Sequence, residues 1–359
     1  MTEGPGADRG GGRRGRSRAA GAAAVLAVLA WLPAGGALAQ DEAIRSEGRL
    51  LVLNKHDNTL MVFDVPSYEK LATIPVGREP HEVAATPDGR KAYISNVRDK
   101  SLSVVDLKAG RVSSTLRPDR LDFPHGLAVT PDGRRLVVTS EGSRRLFLID
   151  VARDVVLRSV TTTQSRAHMA VVLAGGKRAC VTNVGSDSVS LLKIPDLRIT
   201  RNVPVGDEPE GIAATPNGRW IVVALQGSDQ VAILDGGSGA VLARLPTGRT
   251  PIRVGVTPNS FTALVPNRGS DDVTVLDVLQ RRVKATVRVG RRPGGIAIDA
   301  AGARAYVCNN DSNTVSVLSI PGLEVTRTIP VGAHPDGIAF VPRRQDAGKA
   351  RPRPRSSGT

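Results

Sequence analysis

Histidine is scarce in this chain, with five in 359 residues. Three of them, His81, His125 and His168, follow one another at steps of 44 and 43 residues. Each comes directly after the residue that starts a short apolar run, namely Pro80, Pro124 and Ala167. Imidazole ligates metals, moves protons near neutral pH and serves as hydrogen-bond donor or acceptor. Three rings at one structural position would place those capacities side by side. The corresponding position further along holds Glu210, Ile252, Gly294 and Asp336. Glu141 and Arg253 are expected on the same face and add a carboxylate and a guanidinium.

Two chemistries fit this set. Three imidazole nitrogens with a carboxylate suit zinc or copper, so His81, His125, His168 and Glu141 form the expected metal set. Alternatively, the face binds an anionic or polar small ligand through His81, His125, His168, Glu141, Glu210, Arg253 and Asp336. A structural reading competes with both: the rings only bond neighbouring loops and lock them together. No HxxxH spacing supports the metal set, which therefore rests on the fold that positions it.

That fold is written in a repeat. Anchor residues Pro80, Pro124, Ala167, Pro209, Pro251, Pro293 and Pro335 are separated by 44, 43 and then four times 42 residues. Such a period suits one four-stranded propeller blade. In the first full copy His81–Thr86 is the first strand, and Pro87-Asp88-Gly89 is a tight turn. Lys91–Asn96, Ser101–Asp106 and Arg111–Leu116 follow as strands. Alternating apolar residues between regular turns argue for an all-β chain. Residues 50–77 supply three strands with no first one, and residues 335–342 supply a first strand with nothing after it. Joined, they complete a seventh blade and close the ring, which removes exposed edges. The expectation is a seven-bladed β-propeller over residues 50–342, standing as a monomer.

A meander places the start of every first strand and every second-to-third turn on one face. The first residues of the innermost strands should rim the central channel there, where loops converge. His56 and His334 map to the same face. Asn54, Asn96, Asn183, Asn267 and Asn309 end their strands and read as turn residues bonding local backbone. One residue further on, only Glu141 stands out.

The strings Tyr306-Val307-Cys308-Asn309, Thr314-Val315-Ser316-Val317-Leu318 and Ile329-Pro330-Val331-Gly332 resemble the YVTN-repeat, YncE-like β-propellers. The resemblance covers about residues 50–342. It implies the propeller fold and an innermost first strand, and it fixes no activity. Related propellers include lactonases, so a hydrolase using Glu141, Glu210 or a metal-bound water is an alternative. A protein-interaction scaffold is another.

The ends carry different information. Arg13, Arg14, Arg16 and Arg18 precede the apolar stretch Ala19–Leu32, and Ala37-Leu38-Ala39 is a small-residue cleavage signal. Residues 1–39 are thus expected to be a signal peptide cut after Ala39, followed by a short lead at 40–49. The apolar stretch is too short to span a bilayer. The residues after Arg13-Arg14 lack the apolar pair of a twin-arginine signal, which favours general secretion. The mature chain is expected in a periplasm or outside the cell, with no transmembrane segment. Cys180 and Cys308 fall in separated blades, too far apart for a disulfide, and read as core residues.

The net charge of +15 is uneven: +3 lies in residues 1–39 and +5 in the tail 343–359, which is low in apolar residues and expected to be disordered. Only 3% of residues are aromatic, too few for base-stacking, so nucleic acid is a weak, non-specific possibility. There is no CxxCH for covalent haem and no GxSxG, HExxH or GxxxxGK[ST] motif. Nothing in the sequence requires an enzyme, and the partner is expected to be a small ligand or another protein.

Overall fold

The computed structural model describes residues 46–343. The expected signal peptide, most of the lead and all of the tail but Arg343 lie outside the described residues. Twenty-eight strands form seven four-stranded antiparallel sheets, a β-propeller. Strands are named A to D from the channel outward. In blade 2 they are Pro80–Ala85, Lys91–Asn96, Ser101–Asp106 and Arg111–Leu116.

Blade 1 is shared between the chain's two ends. Pro335–Pro342 is its strand A and pairs antiparallel with strand B, Gly48–Asn54, in the register Leu50↔Phe340 and Val52↔Ile338. The only helical segment among the described residues is a 3-10 turn at Val184–Ser186, and no helix is long and apolar enough to cross a membrane.

Strand B shows why the sequence folds this way. Successive side chains of a strand point to opposite faces. In blade 1, Leu51 and Leu53 enter the core shared with blade 2, while Leu50 and Val52 enter the core shared with blade 7. A strand buried on both faces reads as an unbroken apolar run, here LLVL. Seven buried clusters result, one for each neighbouring pair of blades around the ring. Cys180 and Cys308 are free thiols buried in two of them. Strand D faces solvent and alternates exposed with half-buried residues, as in Arg111–Leu116.

The asparagines at the ends of the B strands bond side chains rather than local backbone. Asn183 donates to Ser188 Oγ at 3.2 Å and Ser190 Oγ at 2.9 Å, both on strand C. Asn96 and Asn309 repeat this pattern, and Asn267 uses Asp272 and Thr274. Gly290 exists to make room: a Cβ there would lie 2.5 Å from Asn309 Cγ. These asparagines are scaffold.

Candidate functional site

Two backbone devices shape the channel mouth. The residue before each anchor is left-handed: Glu79, Phe123, Arg166, Glu208, Thr250, Arg292 and His334 have φ between 47° and 56°. Each offers its carbonyl to the first amide after strand B. Glu141 N thus donates to Phe123 O at 3.1 Å, and Arg268 N to Thr250 O at 2.9 Å. The second device is a bulge at the start of strand A. Pro80 pairs with Asn96, but the next paired residue is Val83, opposite Ile94. The same break follows Pro124, Ala167, Pro209 and Pro293. Two consecutive residues therefore leave the ladder, where strict alternation would leave one.

The first bulge residue is the one that carries the histidines. His81, His125 and His168 come together as a row of mutually tilted rings, with centroids 4.0 and 3.6 Å apart. His125 Nε2 lies 3.2 Å from His81 Nε2. Strand B helps to fix them. Thr139 Oγ1 accepts from Gly126 N at 2.7 Å and donates to His168 O, and Thr182 Oγ1 accepts from Met169 N at 2.9 Å and donates to Glu210 O.

The expected metal set is not one set. His168 Nδ1 is 3.0 Å from Glu141 Oε2, and its Nε2 makes a close but bent contact, 2.8 Å, with Glu210 Oε2. Both ring nitrogens face carboxylates, so the ring is held as an imidazolium. Burial opposes that charge, but Glu210 and Glu141 outweigh it and raise the His168 pKa. Burial and the neighbouring His168 and His81 push His125 well below 6.5, so it stays neutral. The carboxylate grouped with His81 and His125 is Glu82, not Glu141: one donor atom from each of these three lies within 4.8 Å of the others.

Arg253 also departs from its expected role as a ligand donor. It is the second residue after the anchor of blade 6 and reaches Glu82 of blade 2, nearly opposite in the ring. Its Nε and Nη2 donate to Glu82 Oε1 at 3.1 and 2.5 Å, and its Nη1 to Glu210 Oε1 at 2.8 Å. Burial raises the Glu82 pKa and Arg253 lowers it; Arg253 and the other partners prevail. Glu210 is lowered further, with His168 and Arg253 together overcoming its burial. Asp336 Oδ2 lies 3.5 Å from His81 Nδ1 and 3.7 Å from Lys55 Nζ. Burial is the largest influence on Asp336, but His81, Arg253 and Lys55 hold its pKa down.

Above this belt opens a cavity of about 450 Å³. Its lining comes from three repeat positions. The first bulge residue gives His81, His125, His168, Glu210 and Asp336; the left-handed residue gives Phe123, Arg166, Arg292 and His334; the first residue after strand B gives Lys55, Glu141, Gln226 and Arg268. Of the seven expected ligand residues, the cavity gathers all but Arg253.

Sequence reasoning missed Lys55, Arg268 and Glu82. Lys55 and Arg268 stand in the column where only Glu141 had drawn attention, although Gln226 and Asn310 are polar there too. Glu82 stands where four other copies have Gly126, Gly211, Gly295 and Gly337. Those glycines admit the neighbouring blade: a Cβ on Gly295 would strike Asp336 O. Glu82, Met169 and Arg253 break that column.

Arg268 is the odd member of the lining. Arg166 pairs with Glu141 at 2.9 Å and Arg292 with Asp311 at 3.8 Å. Among the described residues no carboxylate lies within 4.0 Å of the Arg268 guanidinium, and its buried Nε has no hydrogen-bond partner. Burial lowers its pKa, against a partial contribution from Asp336.

Fold and site together define a seven-bladed propeller with a polar cavity at one end of its channel. The chain belongs to the choice-of-anchor I domain family, whose model matches residues 144–336. No curated protein matches it. Among solved structures it is similar to hydrazine synthase of Kuenenia stuttgartiensis, at 23% identity and TM-score 0.70, covering 76% of this chain and 92% of that one. A protein of unknown function from Desulfotomaculum acetoxidans is similar at 16% identity and TM-score 0.73, covering 83% and 100%. The dihydro-heme d1 dehydrogenase NirN, solved in complex with DHE, is similar at 16% identity and TM-score 0.63, covering 79% and 63%. These likenesses establish the fold.

Proposed function

We propose that this chain is an exported binding propeller, of the YVTN-repeat, YncE-like kind, that holds a small anionic ligand in the mouth of its channel. The observation that carries the reading is Arg268. A half-buried guanidinium with a buried, unpartnered Nε and no carboxylate is costly, and the cost is recovered when an anion enters. Lys55, Arg166, Arg268 and Arg292 face Glu141, Glu210 and Asp336 in the lining, so positive charge is in excess even before the His168 imidazolium is counted. The cavity size suits one small molecule. Export is supported by the basic, apolar and small-residue pattern of residues 1–39.

The hydrolase alternative has less support, because Glu141 and Glu210 are both committed to His168 and to arginines. That similar fold of NirN, bound to DHE, is consistent with a ligand-holding use of such rings.

Thermal denaturation of the mature protein in chelator, against phosphate, sulfate and small mono- and dicarboxylates, tests the proposal. A binding anion raises the melting temperature with concentration; at 100 times Kd the gain is about 2.7 kcal/mol. Arg268→Met is expected to abolish that rise. A flat response to the whole panel, or a response that survives Arg268→Met, contradicts the reading.

A further inference from the structure

In the cavity lining, the three neighbouring rings divide into two kinds. His168 has both nitrogens against carboxylates, whereas His81 and His125 turn their Nε2 atoms toward each other. We infer that His81 Nε2, His125 Nε2 and the Glu82 carboxylate form a binding site for one divalent d-block cation of the zinc type. The site goes beyond the anion reading above, sharing its cavity but none of its cationic side chains.

The spacing is the first support. Two imidazole nitrogens on a tetrahedral zinc, at about 2.0–2.1 Å each, stand about 3.3–3.4 Å apart. The observed Nε2···Nε2 distance is 3.2 Å, and Glu82 has an oxygen within 4.8 Å of a nitrogen of each ring. Only one of the two facing Nε2 atoms can carry a proton if they are hydrogen-bonded to each other, whereas a cation uses both lone pairs.

The surroundings are the second. A ligating histidine donates its other N–H to a carboxylate, which fixes the ring. His81 Nδ1 forms no hydrogen bond, but Asp336 Oδ2 stands at 3.5 Å and Glu82 Oε1 at 3.7 Å, ready to accept its proton. Arg253 binds Glu82 through Oε1 alone, which leaves Oε2 for the cation. Glu82 and Asp336, the two carboxylates beside His81, bring negative charge next to the site. Two nitrogens and an oxygen match zinc's donor preferences and leave a fourth position for water.

The test is calorimetric titration of zinc chloride into the mature protein, stripped with chelator and carrying no polyhistidine tag. One equivalent is expected to bind. His81→Ala and His125→Ala should each weaken that binding at least tenfold. His56→Ala should leave it unchanged, although it removes the stacked His56–His334 pair, with centroids 4.5 Å apart, that is the competing imidazole site. Circular dichroism confirms that each variant is folded, and His125→Gln serves if His125→Ala is not. No uptake by the unsubstituted protein, binding that survives His81→Ala and His125→Gln, or binding lost in His56→Ala overturns the inference. Phosphate binding measured in chelator, which depends on Arg268, is a separate readout: its loss counts against the anion reading and leaves the zinc result standing.

Discussion

The asparagine brackets and the inner residues of the channel mouth are both buried, with Asn183 at 0% and His125 at 1% exposure, yet they are built on opposite plans. The brackets recur in five blades and bond within their own blade, to strand C. The channel-mouth residues do not recur around the whole ring, and they bond between blades. Glu141 reaches His168 of the next blade, Glu210 meets both His168 and Arg253, and Arg253 crosses the ring to Glu82. Burial alone therefore does not separate scaffold from site in a repeat protein. What separates them is whether a buried polar group obeys the repeat. A group that obeys it is assigned to stability, and a group that breaks it has been placed for something the scaffold does not need.

Substitutions can break or sharpen that contrast. The largest loss is expected from Arg253→Ala, which strands Glu82 and leaves Glu210 with His168 alone, and should cost about 3–5 kcal/mol in chemical denaturation. Adding Glu82→Gln should recover part of that loss, because one stranded charge is gone; strict additivity would show that the cross-channel pair is not coupled. Asn183→Ala should cost about 2 kcal/mol through two lost buried hydrogen bonds, with anion response unchanged. A bracket substitution that abolished the anion response would erase the distinction.

The two neighbouring histidines should split by pH. His168 has a raised pKa, so its contribution is complete below 6.5 and is lost as pH rises through the folded value. His125 has a lowered pKa, so its cost appears as pH falls below 6.5, where the unfolded chain takes up a proton that the folded ring refuses. Denaturation midpoints followed from acid to alkaline pH should therefore lose their alkaline decline in His168→Gln. In His125→Gln the decline on the acid side should become shallower. Identical profiles for the two variants would contradict the assigned charge states.

Much of the fold was legible because each blade restates it. Seven copies of one pattern fix the turns, the apolar face and the shared closing blade, and an error in one copy is corrected by the others. The histidine arc was legible for the same reason, as a column that changes identity. The rest was hidden by the bulge. Strict alternation turns Glu82 away from His81, whereas the bulge releases both from the ladder, so the glycine column that Glu82 interrupts had no evident meaning. Arg268 was hidden differently. Its column holds six residue types in seven blades, and variation reads as surface until the left-handed residue beside it folds that turn over the cavity. Glu141 was found there, but its partner was not, since no sequence spacing shows that His168 has both nitrogens engaged.

The central claim is that the channel mouth is kept for a ligand and not for locking blades. Arg268→Met tests it most directly when stability without ligand and the anion-induced rise in melting temperature are measured on the same sample. The account predicts stability that is unchanged or raised by about 1 kcal/mol, because a half-buried cation with no carboxylate partner has been removed, together with loss of the anion-induced rise. A variant that is clearly less stable yet still responds to anions as before would contradict it.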